Sequence, residues 1–93
     1  MKTDKHSIMF TEYEYSLLKE NSMISMLCER QLKSATKYDE EVELSLTLDE
    51  LNDLIGHIAA ESNHSRSKRK GEDLGEICDY LESVEFDLRR NSK

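Results

Sequence analysis

Two kinds of periodicity divide the chain. The runs IMF at 8–10 and LSL at 44–46 both read apolar-x-apolar, the period of a strand with one buried face. Each run leads into a threonine followed three residues later by a glutamate, Thr11 with Glu14 and Thr47 with Glu50. There the threonine oxygen can accept from the glutamate's amide while the carboxylate accepts from the threonine's own amide, so both mark helix starts. The extended runs, about 7–10 and 41–46, can pair as a minor two-stranded ribbon. A ribbon that small needs helices beneath it.

Beyond each capping signal the apolar period becomes helical. The spacing predicts a first helix over about 12–36, with Tyr13, Leu17, Ile24, Leu27, Cys28 and Leu32 on one face. Tyr15, Leu18 and Met26 fall on nearly the opposite face, which predicts a helix covered on both sides. A second helix is predicted from 48 to 62–64, with Leu48, Leu51, Leu54, Ile55 and Ile58 as its core stripe. Beside that stripe Gly56, Ala59, Ala60 and Asn63 make a small-residue patch suited to close helix packing. A third helix is predicted over 72–90, carrying Leu74, Ile77, Cys78, Leu81, Val84 and Leu88, with Tyr80 and Phe86 on the flanks and Arg89 and Arg90 in its last turn. The fold class expected is mainly α: a three-helix domain with the minor ribbon, the last two helices forming an antiparallel hairpin.

Ninety-three residues suit a single domain over 1–93, with 1–6 and 91–93 as flexible ends and a polar basic link at 64–71. A chain this short buries a modest fraction of its surface, so association would add stability. The net charge of −7 repels polyanions at long range, which argues against nucleic acid and anionic membranes as partners. Cys28 and Cys78 share no metal-ligand or redox spacing, and no apolar run approaches the roughly 20 residues that span a bilayer. A cytoplasmic location with reduced thiols is expected. The Asn63-His64-Ser65 sequon carries no weight without a secretory route.

Chemistry is sparse. Glu50, His57, Glu61 and His64 line one strip of the second helix, and His57, Glu61 and His64 at i, i+4 and i+7 can reach one divalent ion. Glu61-x-x-His64 also has the form that carboxylate-bridged di-iron bundles use, but it occurs once where those bundles need two. Histidines near a helix C-terminus are favourable without any metal; Glu61 there faces the negative end of the dipole, a cost that Arg66 and Lys68 can offset. Arg66, Lys68, Arg69 and Lys70 form a basic run that can contact an anion or acidic partner, or simply solvate a loop. The run lacks the aromatic partners of single-strand binders. Cys28 and Cys78 lie on apolar stripes and read as small hydrophobes, with a Cys-His57 nucleophilic pair as the less favoured alternative, and His6 as uncommitted.

From residue 46, LTLDELNDLIGHIAAESNH followed by a basic link and LGEICDYLE resembles small, uncharacterised bacterial helical domains with the pattern Leu-Thr-x-x-Glu-Leu-x-x-Leu-x-Gly-x-Ile-Ala-Ala-Glu-x-Asn-His. The resemblance covers the second half of the chain. It implies that Gly56, Ala59, Ala60, Glu61, Asn63 and His64 belong together, and it implies no biochemical role. Two expectations follow. One is a non-enzymatic interaction or regulatory module acting as a homodimer, without cofactor, through Tyr15, Leu18 and Met26. The alternative is a metal-binding or metal-sensing protein using His57, Glu61 and His64.

Overall fold

A computed structural model describes residues 4–91. The order is β1 His6–Thr11, α1 Glu12–Glu20, α2 Ser22–Leu27, α3 Glu29–Lys33, β2 Thr36–Tyr38, β3 Glu41–Leu46, α4 Leu48–His64 and α5 Lys68–Asn91. The mainly helical class holds, but the three-helix expectation does not: five helices accompany a three-stranded antiparallel sheet of order β1-β3-β2 among the described residues.

The two extended runs pair as expected, with Ile8 opposite Leu44 and Phe10 opposite Val42. These four side chains and Leu46 are buried, so one face of the sheet lies on the helices. Both capping boxes form. Thr11 Oγ1 accepts from the Glu14 amide at 3.1 Å while Glu14 Oε1 accepts from the Thr11 amide at 2.8 Å. Thr47 and Glu50 repeat the arrangement at 3.1 and 2.9 Å. Each box turns a strand directly into a helix, which brings α1 and α4 onto the sheet.

The predicted first helix is interrupted twice. Asn21 takes an extended conformation (φ −74°, ψ 114°), closes α1 and caps α2, its Oδ1 accepting from the Ile24 amide at 3.0 Å. Asparagine offers the backbone such a local hydrogen bond in competition with the helix, and Asn21 does so here. Cys28 (φ −113°, ψ 29°) makes a second, milder break, with the amides of Cys28 and Leu32 still bonded to the carbonyls of Ile24 and Cys28. The chain emerges from α3 into β2, a third strand where the first helix was expected to end.

β2 and β3 are joined through Asp39 and Glu40, with Tyr38 opposite Glu41 and Asp39 at φ 35° in the left-handed region. The hairpin tip is pinned by the Glu12 amide donating to the Glu40 carbonyl at 3.0 Å.

The antiparallel hairpin of the last two helices is present as α4 and α5, joined by Ser65, Arg66 and Ser67. Asn52 near one end of α4 donates to Glu85 late in α5 at 3.0 Å, and the Ser62 hydroxyl near the other end donates to the Gly71 carbonyl at 2.7 Å. The basic link is shorter than the expected 64–71, because α5 begins at Lys68. Ser67 Oγ accepts from the Lys70 amide at 3.3 Å, an N-cap that starts the helix inside the basic run.

One core joins the sheet and helices, built from Leu17, Leu18, Ile24, Cys28 and Leu32, from Leu51, Leu54, Ile55 and Ile58 of α4, and from Leu74, Ile77, Cys78 and Leu81. The Tyr80 ring meets Phe10 edge to face at 6.2 Å, and its hydroxyl donates to the Met9 carbonyl at 2.7 Å. Of the ends expected to be flexible, His6 belongs to β1 and Asn91 to α5, and Lys5 pairs with Glu50 at 3.1 Å; residues 1–3 and 92–93 lie outside the described residues.

Candidate functional site

The break at Asn21 determines which residues are presented. Tyr15 and Leu18, expected between two chains, lie inside one chain's own core at 6% and 0% exposure, and the Tyr15 hydroxyl donates to the Leu32 carbonyl at 3.0 Å. The reason is geometric. A continuous helix would hold Tyr15, Leu18 and Met26 on one side, whereas the extended residue at 21 redirects α2 and separates Met26 from the other two. The opposite face is corrected at two positions. Tyr13 and Leu27, expected in the core, are exposed, and Tyr13 instead donates to Asp73 Oδ2 at 2.5 Å, joining α1 to α5.

What α2 presents is a ridge. Met23, Met26 and Leu27 are 45%, 65% and 48% exposed, while Ile24 between them is buried. Residues at i, i+3 and i+4 are neighbours on a helix surface, so these three apolar side chains form one contiguous strip. Sequence reasoning placed Met26 here but missed Met23 and sent Leu27 to the core. The signal was available, because Ser22 and Ser25 flank the strip and Asn21 caps the helix that carries it.

Beside the ridge runs a groove of about 930 Å³ bounded by α1, α2, α3 and β2. Its lining comprises Tyr15, Lys19, Glu20, Ser22, Ser25, Met26, Glu29, Leu32, Lys33, Ala35 and Lys37. Lys19 sits 5.8 Å from the centre of the Tyr15 ring, near enough for a cation–π contact. Lys33 pairs with Glu29 at 2.8 Å, and both are exposed enough for solvent to screen the pair. Of these groove residues the sequence singled out Tyr15 and Met26 for an interface and Leu32 for the core, and none for a groove, because the groove exists only once the first helix is broken.

The His57, Glu61 and His64 strip is built differently from a metal centre. Glu61 Oε1 accepts from Asn21 Nδ2 at 3.0 Å, which ties α4 to the break between α1 and α2. Among the described residues no three His, Cys, Asp or Glu side chains gather where they could hold one metal ion. Glu61, awkward for its own helix dipole, thus has a structural partner 40 residues away. His64 occupies the last turn of α4, where a cation would be favourable.

The small-residue patch is also redistributed. A methyl group built on Gly56 meets nothing within 4 Å, and Ala60 is exposed; Ala59 alone packs against the core. The close approach of helices lies elsewhere, at Gly71 and Gly75. Added methyl groups there would lie 3.1 Å from the Ser62 carbonyl oxygen and 3.3 Å from its hydroxyl. Arg66, Lys68, Arg69 and Lys70 are exposed, with the last three in the first turn of α5, where cations oppose the helix dipole.

Cys28 and Cys78 are free and buried. Burial pushes the Cys28 thiol up, and burial together with the hydrogen bond to Glu82 pushes Cys78 up to about 11. A thiol held protonated near neutral pH is a poor nucleophile, which removes support from a Cys-His57 pair. No helix is long and apolar enough to cross a membrane among the described residues. Compared with known proteins, the chain matches no protein family, no curated protein and no solved structure.

Proposed function

We propose that this chain is a non-enzymatic interaction module that pairs with a second copy of itself through α2. The observation that carries the reading is the Met23, Met26 and Leu27 strip, three exposed apolar side chains on one short helix. Methionine suits such a surface because its unbranched, polarizable side chain repacks against varied partners. The homodimer contact therefore moves from Tyr15, Leu18 and Met26 to a strip that keeps only Met26. The raised thiol pKa values of Cys28 and Cys78 favour a binding role over nucleophilic chemistry at those residues.

Sedimentation equilibrium over a wide concentration range tests the reading. The native chain is expected to show a monomer–dimer equilibrium, and Met26→Glu to shift it to monomer by burying an unpaired charge at the contact. Because Met26 is exposed in the single chain, the variant is expected to melt within about 0.5 kcal/mol of the parent. A native chain that stays monomeric at every concentration overturns the self-association reading.

A further inference from the structure

We infer that the groove beside α2 takes an acidic, extended segment of a partner protein, with carboxylates on its lysines and an apolar residue on its floor. The inference rests on the interaction-module reading and gives it a second partner with defined chemistry.

Three lysines line the groove from three separate elements, beside two glutamates, Glu20 and Glu29, of which Glu29 is paired with Lys33. Lys19 comes from the last turn of α1, Lys33 from the last turn of α3, and Lys37 from the middle of β2. Cations at the ends of α1 and α3 favour those helix dipoles on their own account. Lys37 has no such explanation. It lies opposite Val42 in the sheet register, so its side chain shares the face on which Val42 is buried, and it points toward the helices. An inward-pointing charge on an edge strand discourages sheet-to-sheet pairing, which disfavours a second copy added at β2.

Charge complementarity selects the occupant. The chain has 20 carboxylates against 13 lysines and arginines, yet neither Lys19 nor Lys37 forms an ion pair among the described residues. An acidic segment is repelled by most of this surface and drawn to the groove, where Lys19, Lys33 and Lys37 outnumber Glu20 and Glu29. Leu32 forms an apolar floor between them, and the Tyr15 hydroxyl bonded to the Leu32 carbonyl fixes one wall to the other. The Ser25 hydroxyl on the α2 side makes no hydrogen bond among the described residues and can donate to a carboxylate. Lysines act as point charges suited to carboxylates on a flexible segment, whereas the planar bidentate fork that phosphate recognition exploits comes from arginine, and no arginine lines the groove.

The test titrates the full chain with a pool of short fluorescent peptides alternating Glu with apolar residues, beside the same pool with Gln for Glu. Members of the Glu pool are expected to bind, the Gln pool to bind at least about tenfold more weakly, and added salt to weaken the Glu pool alone. Lys19→Glu combined with Lys37→Glu is expected to weaken binding by about tenfold or more, while Lys68→Glu combined with Lys70→Glu, at the far basic run, leaves it unchanged. All four lysines are exposed, and thermal melting checks that both variants fold. The inference is overturned by equal binding of the Gln pool, by equal loss in both double variants, by a short single-stranded RNA binding as tightly, or by no Glu peptide binding at all. In the last case a dimer that Met26→Glu still dissociates leaves the module reading standing and removes only the acidic partner.

Discussion

Replacing Asn21 probes the residue on which the presented surface depends. Its side chain does two things at once: Oδ1 caps α2 at the Ile24 amide, and Nδ2 donates to Glu61 on α4. Loss of an asparagine cap costs about 1 kcal/mol. A hydrogen bond to a charged acceptor contributes about 1.5–3 kcal/mol when buried; this one is part-buried, and about 1 kcal/mol is a reasonable share. Asn21→Ala should therefore destabilise by about 2 kcal/mol, which for a domain of this size lowers Tm by about 10 °C. Asn21→Asp separates the two contributions. Aspartate caps as well as asparagine, but it removes the donor and sets a carboxylate against Glu61, so it should cost about 1 kcal/mol at low salt and less at high salt. Adding Glu61→Gln to Asn21→Asp restores a donor–acceptor pair and should recover most of the loss. Urea and thermal unfolding of the four proteins supply the numbers. If Asn21→Asp melts with the parent, the bridge to α4 contributes nothing; if Asn21→Ala does so too, Asn21 does not fix the break.

Three further outcomes are expected. Gly56→Ala should stabilise by about 0.5–1 kcal/mol in thermal unfolding, because a methyl group there meets nothing and alanine is the better helix former; a loss of stability or of association would mean that something packs on Gly56. With its thiol pushed up to about 11, Cys78 should be about one part in a thousand thiolate at pH 8, so iodoacetamide should label it slowly in native protein and quickly in urea. The Thr47 amide and Lys5 hold the Glu50 carboxyl below its ordinary 4.5, so the ionised form is favoured by folding. Stability from Glu50 is then full above about 4.5 and lost as the pH falls through its lower folded value, and acid titration of Glu50→Gln should lack that component.

Much of the frame was legible in the residues. Thr11 with Glu14 and Thr47 with Glu50 are local signals whose geometry depends on four residues each, so tertiary contacts had little scope to overrule them. The α4 and α5 stripes were equally plain, since each is one regular apolar face laid on the other. The first helix failed because its apolar residues fit a single helical period well enough to hide the cap at Asn21. Asn21 falls inside the helix expected over 12–36 and was not singled out, although Asn-Ser is a helix-start signal in its own right. β2 was missed because Thr36, Lys37 and Tyr38 carry no buried alternation; the strand exists by pairing with β3. The start of α5 was hidden because RSKRKG is polar throughout, and only Ser67 marks the cap. Glu61 was rightly singled out as oddly placed, but its partner is Asn21, which no local spacing could disclose. The groove was illegible for the same reason, since its walls come from α1, α2, α3 and β2 and meet only after the chain has turned twice.

The most direct test of self-association through α2 is sedimentation equilibrium of the native chain beside Met26→Glu and, as a control at an exposed position of α1, Ser16→Glu. A concentration-dependent dimer that Met26→Glu dissociates and Ser16→Glu leaves intact is the predicted result. A monomer at all concentrations, or a dimer indifferent to Met26→Glu, would contradict it.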